Sequence, residues 1–256
     1  MIYYCTLAVG VFAVIVFLAL RVSKGGLNAM FAKAAASVLF VLSALAALIY
    51  GMQGDISFKF RGIYGVLITA GLIFGILGDV FLDLKIVYKE SNKKDSEAYT
   101  YSGFASFGAG HFFFIAAITY YSAYYKTSNL NKAVLFSVLV SIVAALVIYF
   151  GAKPMKLDYG KFKLVSAIYG FILFYMTAYA AFSYFFATSG GSMKPLLVLS
   201  IGGVLFIISD LILSQTYFGG KDKPAYVVMN HIAYYAAQFL IAFSVLSTLP
   251  LPEIKF

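Results

Sequence analysis

The run from Gly62 to Leu84, GIYGVLITAGLIFGILGDVFLDL, decides the fold of this chain. A helix of about 20 apolar residues, rising ~1.5 Å per residue, crosses the ~30 Å hydrocarbon core of a bilayer. This run is long enough, and its only charged residues are Asp79 and Asp83. Seven further runs meet the same test, at about 2–20, 31–51, 102–123, 132–150, 163–187, 195–217 and 225–248. The composition agrees, with 62% hydrophobic residues, 11% charged residues and a mean hydropathy of +0.92. A soluble domain carries roughly 25% charged residues, so this chain lacks the polar surface to cover a water-exposed globule. The expected fold is all-α: a polytopic bundle of eight transmembrane helices, forming a single domain over residues 1–256.

The net charge is +9. A nucleic-acid binder gathers Lys and Arg on a polar face. Here they sit in short gaps between apolar runs, as the positive-inside bias requires, so no nucleic-acid partner is expected. Thirteen of the 19 basic residues fall in or beside gaps one, three, five and seven. That bias puts the odd gaps in the cytoplasm and both termini outside. Lys33 is counted with the first gap, although it could equally belong to the second helix. Gap three, about 85–101, is the longest; its mixed charges read as a solvated loop. Cys5 is the only cysteine, which excludes an intrachain disulfide, a CxxC redox site and a zinc cluster of thiolates. The first run has neither a basic leader nor an A-x-A site, so it reads as a span rather than a signal peptide.

Three acids and both histidines fall inside spans: Asp79 and Asp83 in the third, His111 in the fourth, Asp210 in the seventh and His231 in the eighth. An acid at the bilayer centre costs ~2.5–3.5 kcal/mol on insertion scales, so such residues face inward and find partners. Counting residues from the span ends puts Asp79, His111, Asp210 and His231 roughly 8–14 Å deep, all in the half of the bilayer next to the odd gaps. The bland reading is a set of polar pairs that hold helices together.

Spacing supports an inward polar face. Asp79 and Asp83 are four apart, as are Asp210 and Ser214, while His231, Tyr235 and Gln238 form a stripe along the last helix with Tyr234 beside it. Asp83 lies two residues from Lys85, which suggests an interfacial ion pair. There is also an internal echo: residues 76–83 align with residues 207–214, and each segment is followed one helix later by a lone histidine. A 4+4 parallel repeat about an axis along the membrane normal would bring the two aspartates face to face.

Two carboxyl groups in a low-dielectric site do not both ionise easily, which makes one an acid and the other a base. That suits hydrolysis of an acid-labile bond. No GxSxG or HExxH motif is present. A two-His, two-Asp zinc site is conceivable, but without three clustered histidines no metal, and no other cofactor, is expected. Intramembrane acids and a repeat also mark proton-coupled transporters. Those have helices broken by mid-span Gly or Pro, whereas all five prolines here lie in gaps or near helix ends.

The run from Gly71 to Leu82 resembles the LGD-x-x-L helix of the YhhN-like family of integral membrane proteins, the lysoplasmalogenases. Phe104 to Ile115, with Gly110-His111, is similar to that family's next helix. Phe206 to Leu213 resembles its S-D helix, and Tyr234 to Ile241 its closing YY-x-A-Q-x-L-I helix. The four motifs occur in order over about 70–245; Asp83 is not part of the pattern. The resemblance implies hydrolysis of the vinyl-ether bond of a lysoplasmalogen, a lysophospholipid, to a fatty aldehyde and glycerophosphoethanolamine or glycerophosphocholine. The chemistry of the residues themselves makes Asp79 and Asp210 the expected catalytic pair. His111, His231, Tyr234, Tyr235, Gln238, Ser209 and Asp83 would orient substrate or water. The partners implied are the lysophospholipid and the surrounding lipid, with no obligatory protein partner, in the cell (inner) membrane of a bacterium.

Overall fold

The computed structural model describes residues 2–51, 58–89, 91–125, 129–187, 193–221 and 223–248. Lys126 and Lys255, counted in the charge bias, lie outside the described residues. Among the described residues, eight helices are long and apolar enough to cross a membrane: α1 (Ile2–Ser23), α2 (Gly26–Gly51), α3 (Phe58–Tyr88), α4 (Lys93–Tyr124), α5 (Leu130–Gly151), α6 (Lys163–Phe185), α7 (Lys194–Tyr217) and α8 (Pro224–Leu246). The chain is a multi-pass membrane protein.

The third gap is not the loop its charges suggest. α3 runs on to Tyr88 and α4 starts at Lys93, where the Asn92 side chain accepts hydrogen bonds from the Lys94 and Asp95 backbone N–H groups. Charged residues are good helix formers once a cap satisfies the first orphan donors. Gly25 and Gly26 take positive φ between α1 and α2, and Pro195 and Pro224 open α7 and α8, where a missing N–H costs nothing.

Six helices close a ring in the order α2, α3, α4, α6, α7, α8, with α3 also reaching α8 across it. α1 packs outside the ring against α2, and α5 outside it against α6. The order is twofold: helices one to four take the same places in their half as helices five to eight in theirs. Side-chain register agrees. A Cβ added to Gly71 would run into Phe114 and the Gly110 carbonyl; one added to Gly202 would run into Ile241 and the Ala237 carbonyl. Gly202 follows Gly71 by 131 positions, and Ile241 and Ala237 follow Phe114 and Gly110 by 127. In α2 and α6, buried Lys33, Ser37, Phe40 and Ala44 match buried Ser166, Gly170, Leu173 and Thr177. Four spans per half give both halves the same direction, so the axis lies along the membrane normal.

The histidines do not follow this register. Gln238 takes the place of His111, and Phe104 that of His231. The echo is real at the aspartates and accidental at the histidines.

Small residues set the helix spacing, as expected where lipid removes the hydrophobic drive between helices. The apolar side chains left outside, such as Phe12 and Ile15 on α1 and Val143 and Phe150 on α5, are exposed and face lipid.

Candidate functional site

Asp79 and Asp210 line one cavity of about 220 Å3, walled by α1, α2, α3, α7 and α8 with Phe107 of α4. The two carboxyl groups have different surroundings. Asp79, only 2% exposed, has both oxygens engaged. Its Oδ1 is 3.0 Å from the Lys33 ammonium, and its Oδ2 accepts from Ser37 Oγ at 2.6 Å and from the Tyr234 hydroxyl at 2.8 Å. Asp210 accepts from the Tyr169 hydroxyl on Oδ2 at 2.7 Å. Among the described residues no Lys or Arg forms an ion pair with it.

Asp83 is equally buried and pairs with Lys33 at 3.3 Å and with Arg21. The expected partner Lys85 instead sits over the Tyr217 ring, 3.3 Å from its centroid. Lys33 itself belongs to α2, 5% exposed, and bridges both α3 aspartates. Two cations thus meet two carboxylates one helical turn apart, which neutralises charge that the bilayer interior cannot solvate.

The remaining expected residues divide between the cavity wall and the layer behind it. His231, Ser209 and Tyr234 line the cavity. His231 places Nδ1 2.7 Å from the Val227 carbonyl; a carbonyl only accepts, so Nδ1 carries a proton in this contact. Ser209 is held by Asn230, whose Nδ2 donates to its carbonyl and its hydroxyl at 2.8 and 2.9 Å. Tyr235 and Gln238 stand behind. The Tyr235 hydroxyl is 3.1 Å from both Ser37 Oγ and the Lys33 carbonyl, and Gln238 Nε2 donates to the Tyr234 hydroxyl at 2.9 Å. His111 reaches the site only through Tyr169. Because the phenol proton goes to Asp210, His111 Nε2, at 3.3 Å, is the donor to the phenol oxygen. Asp79, Asp83, Asp210 and His231 line the one cavity, but His111 is not on its wall.

Arg21, Lys33, Ser37, Tyr169 and Asn230 are the site residues that the sequence reading missed. A lysine well inside an apolar run was a usable signal for Lys33; nothing separates Tyr169 from the other 20 tyrosines. Among the described residues, no three His, Cys, Asp or Glu side chains gather as a ligand set.

The sequence model of the YhhN family matches residues 28–245, most of the chain and all of this cavity except Arg21. The chain belongs to the YhhN family. The matched span contains both aspartates, Lys33, Tyr169 and the closing Tyr234-Tyr235 helix of this YhhN protein. No curated protein and no solved structure matches it.

On the far side of Asp210 lies a second cavity of about 100 Å3, lined mainly by apolar side chains of α4, α6 and α7. On its lining, burial pushes the pKa of the Tyr159 hydroxyl above its ordinary value. The two cavities share Leu82, Phe107, Asp210, Leu213 and Tyr217.

Proposed function

We propose that this YhhN protein is a membrane hydrolase that cleaves the vinyl-ether bond of a lysophospholipid, releasing a fatty aldehyde and a glycerophospho-alcohol. The observation that carries the reading is that carboxyl groups from two separate spans, Asp79 and Asp210, line one cavity. The resemblance to lysoplasmalogenases names the bond, and the bond's chemistry suits the pair.

A vinyl ether yields to protonation at its β-carbon. In this scheme Asp210, which forms no ion pair with a Lys or Arg among the described residues, gives that proton from Oδ1, the oxygen not engaged by Tyr169. The π pair forms the new C–H bond and leaves an oxocarbenium ion. Asp79, held as a carboxylate by Lys33, stabilises that cation and takes a proton from the water that adds to it. The hemiacetal passes its hydroxyl proton to the departing glyceryl oxygen as the C–O bond breaks. One water is consumed, and the proton on Asp79 returns to Asp210 through solvent in the cavity. Ser209, His231 and Tyr234 orient water or headgroup. Tyr235, Gln238 and Asp83 fix Ser37, Tyr234 and Lys33, and His111 fixes Tyr169. We place the protein in the cell membrane of a bacterium, with no cofactor in the scheme.

The uninterrupted helices favour hydrolysis over proton-coupled transport, which works through broken spans. Purified protein given vinyl-ether and ester lysophospholipids side by side tests the reading. Aldehyde from the vinyl ether alone supports it. No aldehyde, with proton-driven solute uptake into liposomes, replaces it with transport.

A further inference from the structure

The two cavities are related by the repeat and differ in chemistry. On α2, Lys33 lines the charged cavity, and Ser37 one turn further on donates to Asp79 behind its wall. In the second half, the matching positions on α6 are Ser166 and Gly170, which line the apolar cavity. One side holds two cations and two carboxylates; its counterpart has only hydroxyls and Asp210 among hydrocarbon. They meet at a partition formed by Leu82 and its repeat mate Leu213, with Phe107 and Tyr217 beside them. Asp210 opens on both.

We infer that the apolar cavity is the seat of a single hydrocarbon chain, belonging to an amphiphile whose polar head lies in the charged cavity. The inference rests on the hydrolase reading only for what happens to that chain, not for its place. The apolar cavity follows α7 from Ile207 to Phe218, roughly 16 Å at helical rise. Water there would find few polar partners, whereas a chain buries apolar surface along the whole length. The head belongs opposite, because a zwitterion matches a cavity that offers Arg21 and Lys33 beside Asp79 and Asp83. The junction of chain and head then falls at Asp210, where a vinyl ether carries its double bond, the β-carbon on the chain side.

The test is competition binding of saturated alkyl-ether lysophosphocholines, which have no vinyl bond to cleave, to the full chain in detergent. A fluorescent single-chain amphiphile is displaced by short- and long-chain members. Ser166→Phe and Gly170→Leu fill the cavity from α6; at Gly170 a side chain first meets the mobile tip of Ile148. Each lowers the affinity ratio of long to short chains by about tenfold, the loss of roughly two buried methylenes. Val143→Phe, on the lipid-facing side of α5, leaves the ratio unchanged. Should Gly170→Leu fail to fold, Ser166→Phe carries the same comparison. An unchanged ratio in the filled variants overturns the inference. Aldehyde release is scored separately. Chain-length selection without aldehyde keeps the seat and removes the hydrolase; aldehyde with an unchanged ratio does the reverse.

Discussion

The ammonium of Lys33 lies 3.0 Å from the carboxylate of Asp79, and both side chains are almost sealed from solvent. Removing one partner of a buried ion pair leaves an uncompensated charge, at a cost of about 3–5 kcal/mol. Lys33→Met is therefore expected to lower thermal stability in detergent by that order. Adding Asp79→Asn to the same chain recovers part of it. Equal melting of Lys33→Met and the parent would show that the pair contributes nothing.

Asp79→Asn and Asp210→Asn each keep the shape of the side chain and lose the acid or base. Each is expected to slow aldehyde release by about 10²–10⁴-fold. The double variant falls little further, because the two groups act as a unit. Full activity in either single variant refutes the dyad.

Tyr169 donates its hydroxyl proton in a hydrogen bond to Asp210 and accepts a hydrogen bond from His111. Tyr169→Phe leaves both groups short of a partner, a loss of about 1–3 kcal/mol in stability. Aldehyde release drops as well, and not further when Asp210→Asn is already present. A Tyr169→Phe slowdown that multiplies fully with Asp210→Asn would mean that the phenol acts elsewhere.

Gly110 and Gly108 sit on the same helix with opposite demands. A Cβ on Gly110 would come within 2.8 Å of the Gly71 carbonyl, while one on Gly108 meets nothing within 4 Å. Gly110→Ala should cost about 1–3 kcal/mol by overpacking α3 against α4. Gly108→Ala should be neutral or slightly stabilising. Thermal melts of the two variants, which share one chemical change, check the helix contact directly; similar melting would refute it.

Much of this architecture was readable before any coordinates. Hydropathy marks spans because backbone in lipid must be satisfied within its own helix, so all eight were legible. The Asp79 and Asp210 positions were legible for a related reason: an acid in a span is conspicuous. The cap at Asn92 was not, because a polar run such as 85–101 reads as loop unless the capping side chain is recognised. Lys33 was half legible, ambiguous between gap and helix. Tyr169 and Asn230 were hidden, since a tyrosine or asparagine in a membrane helix becomes meaningful only when a partner from another helix stands opposite. The repeat register was partly legible at residues 76–83 and 207–214. It misled at the histidines, because helices α4 and α8 follow a different offset from α3 and α7.

The parallel relation of the halves has a consequence for how such an asymmetric molecule can exist. Two copies of one half-chain, paired about the same axis, would carry twin chambers, each bound to mirror every mutation in the other. A lysine at one would be a lysine at both. Joined in one polypeptide, the halves escape that constraint, and a residue can change at position 166 while its mate at 33 stays. Carrying both halves on one polypeptide lets one side be ionic and the other oily.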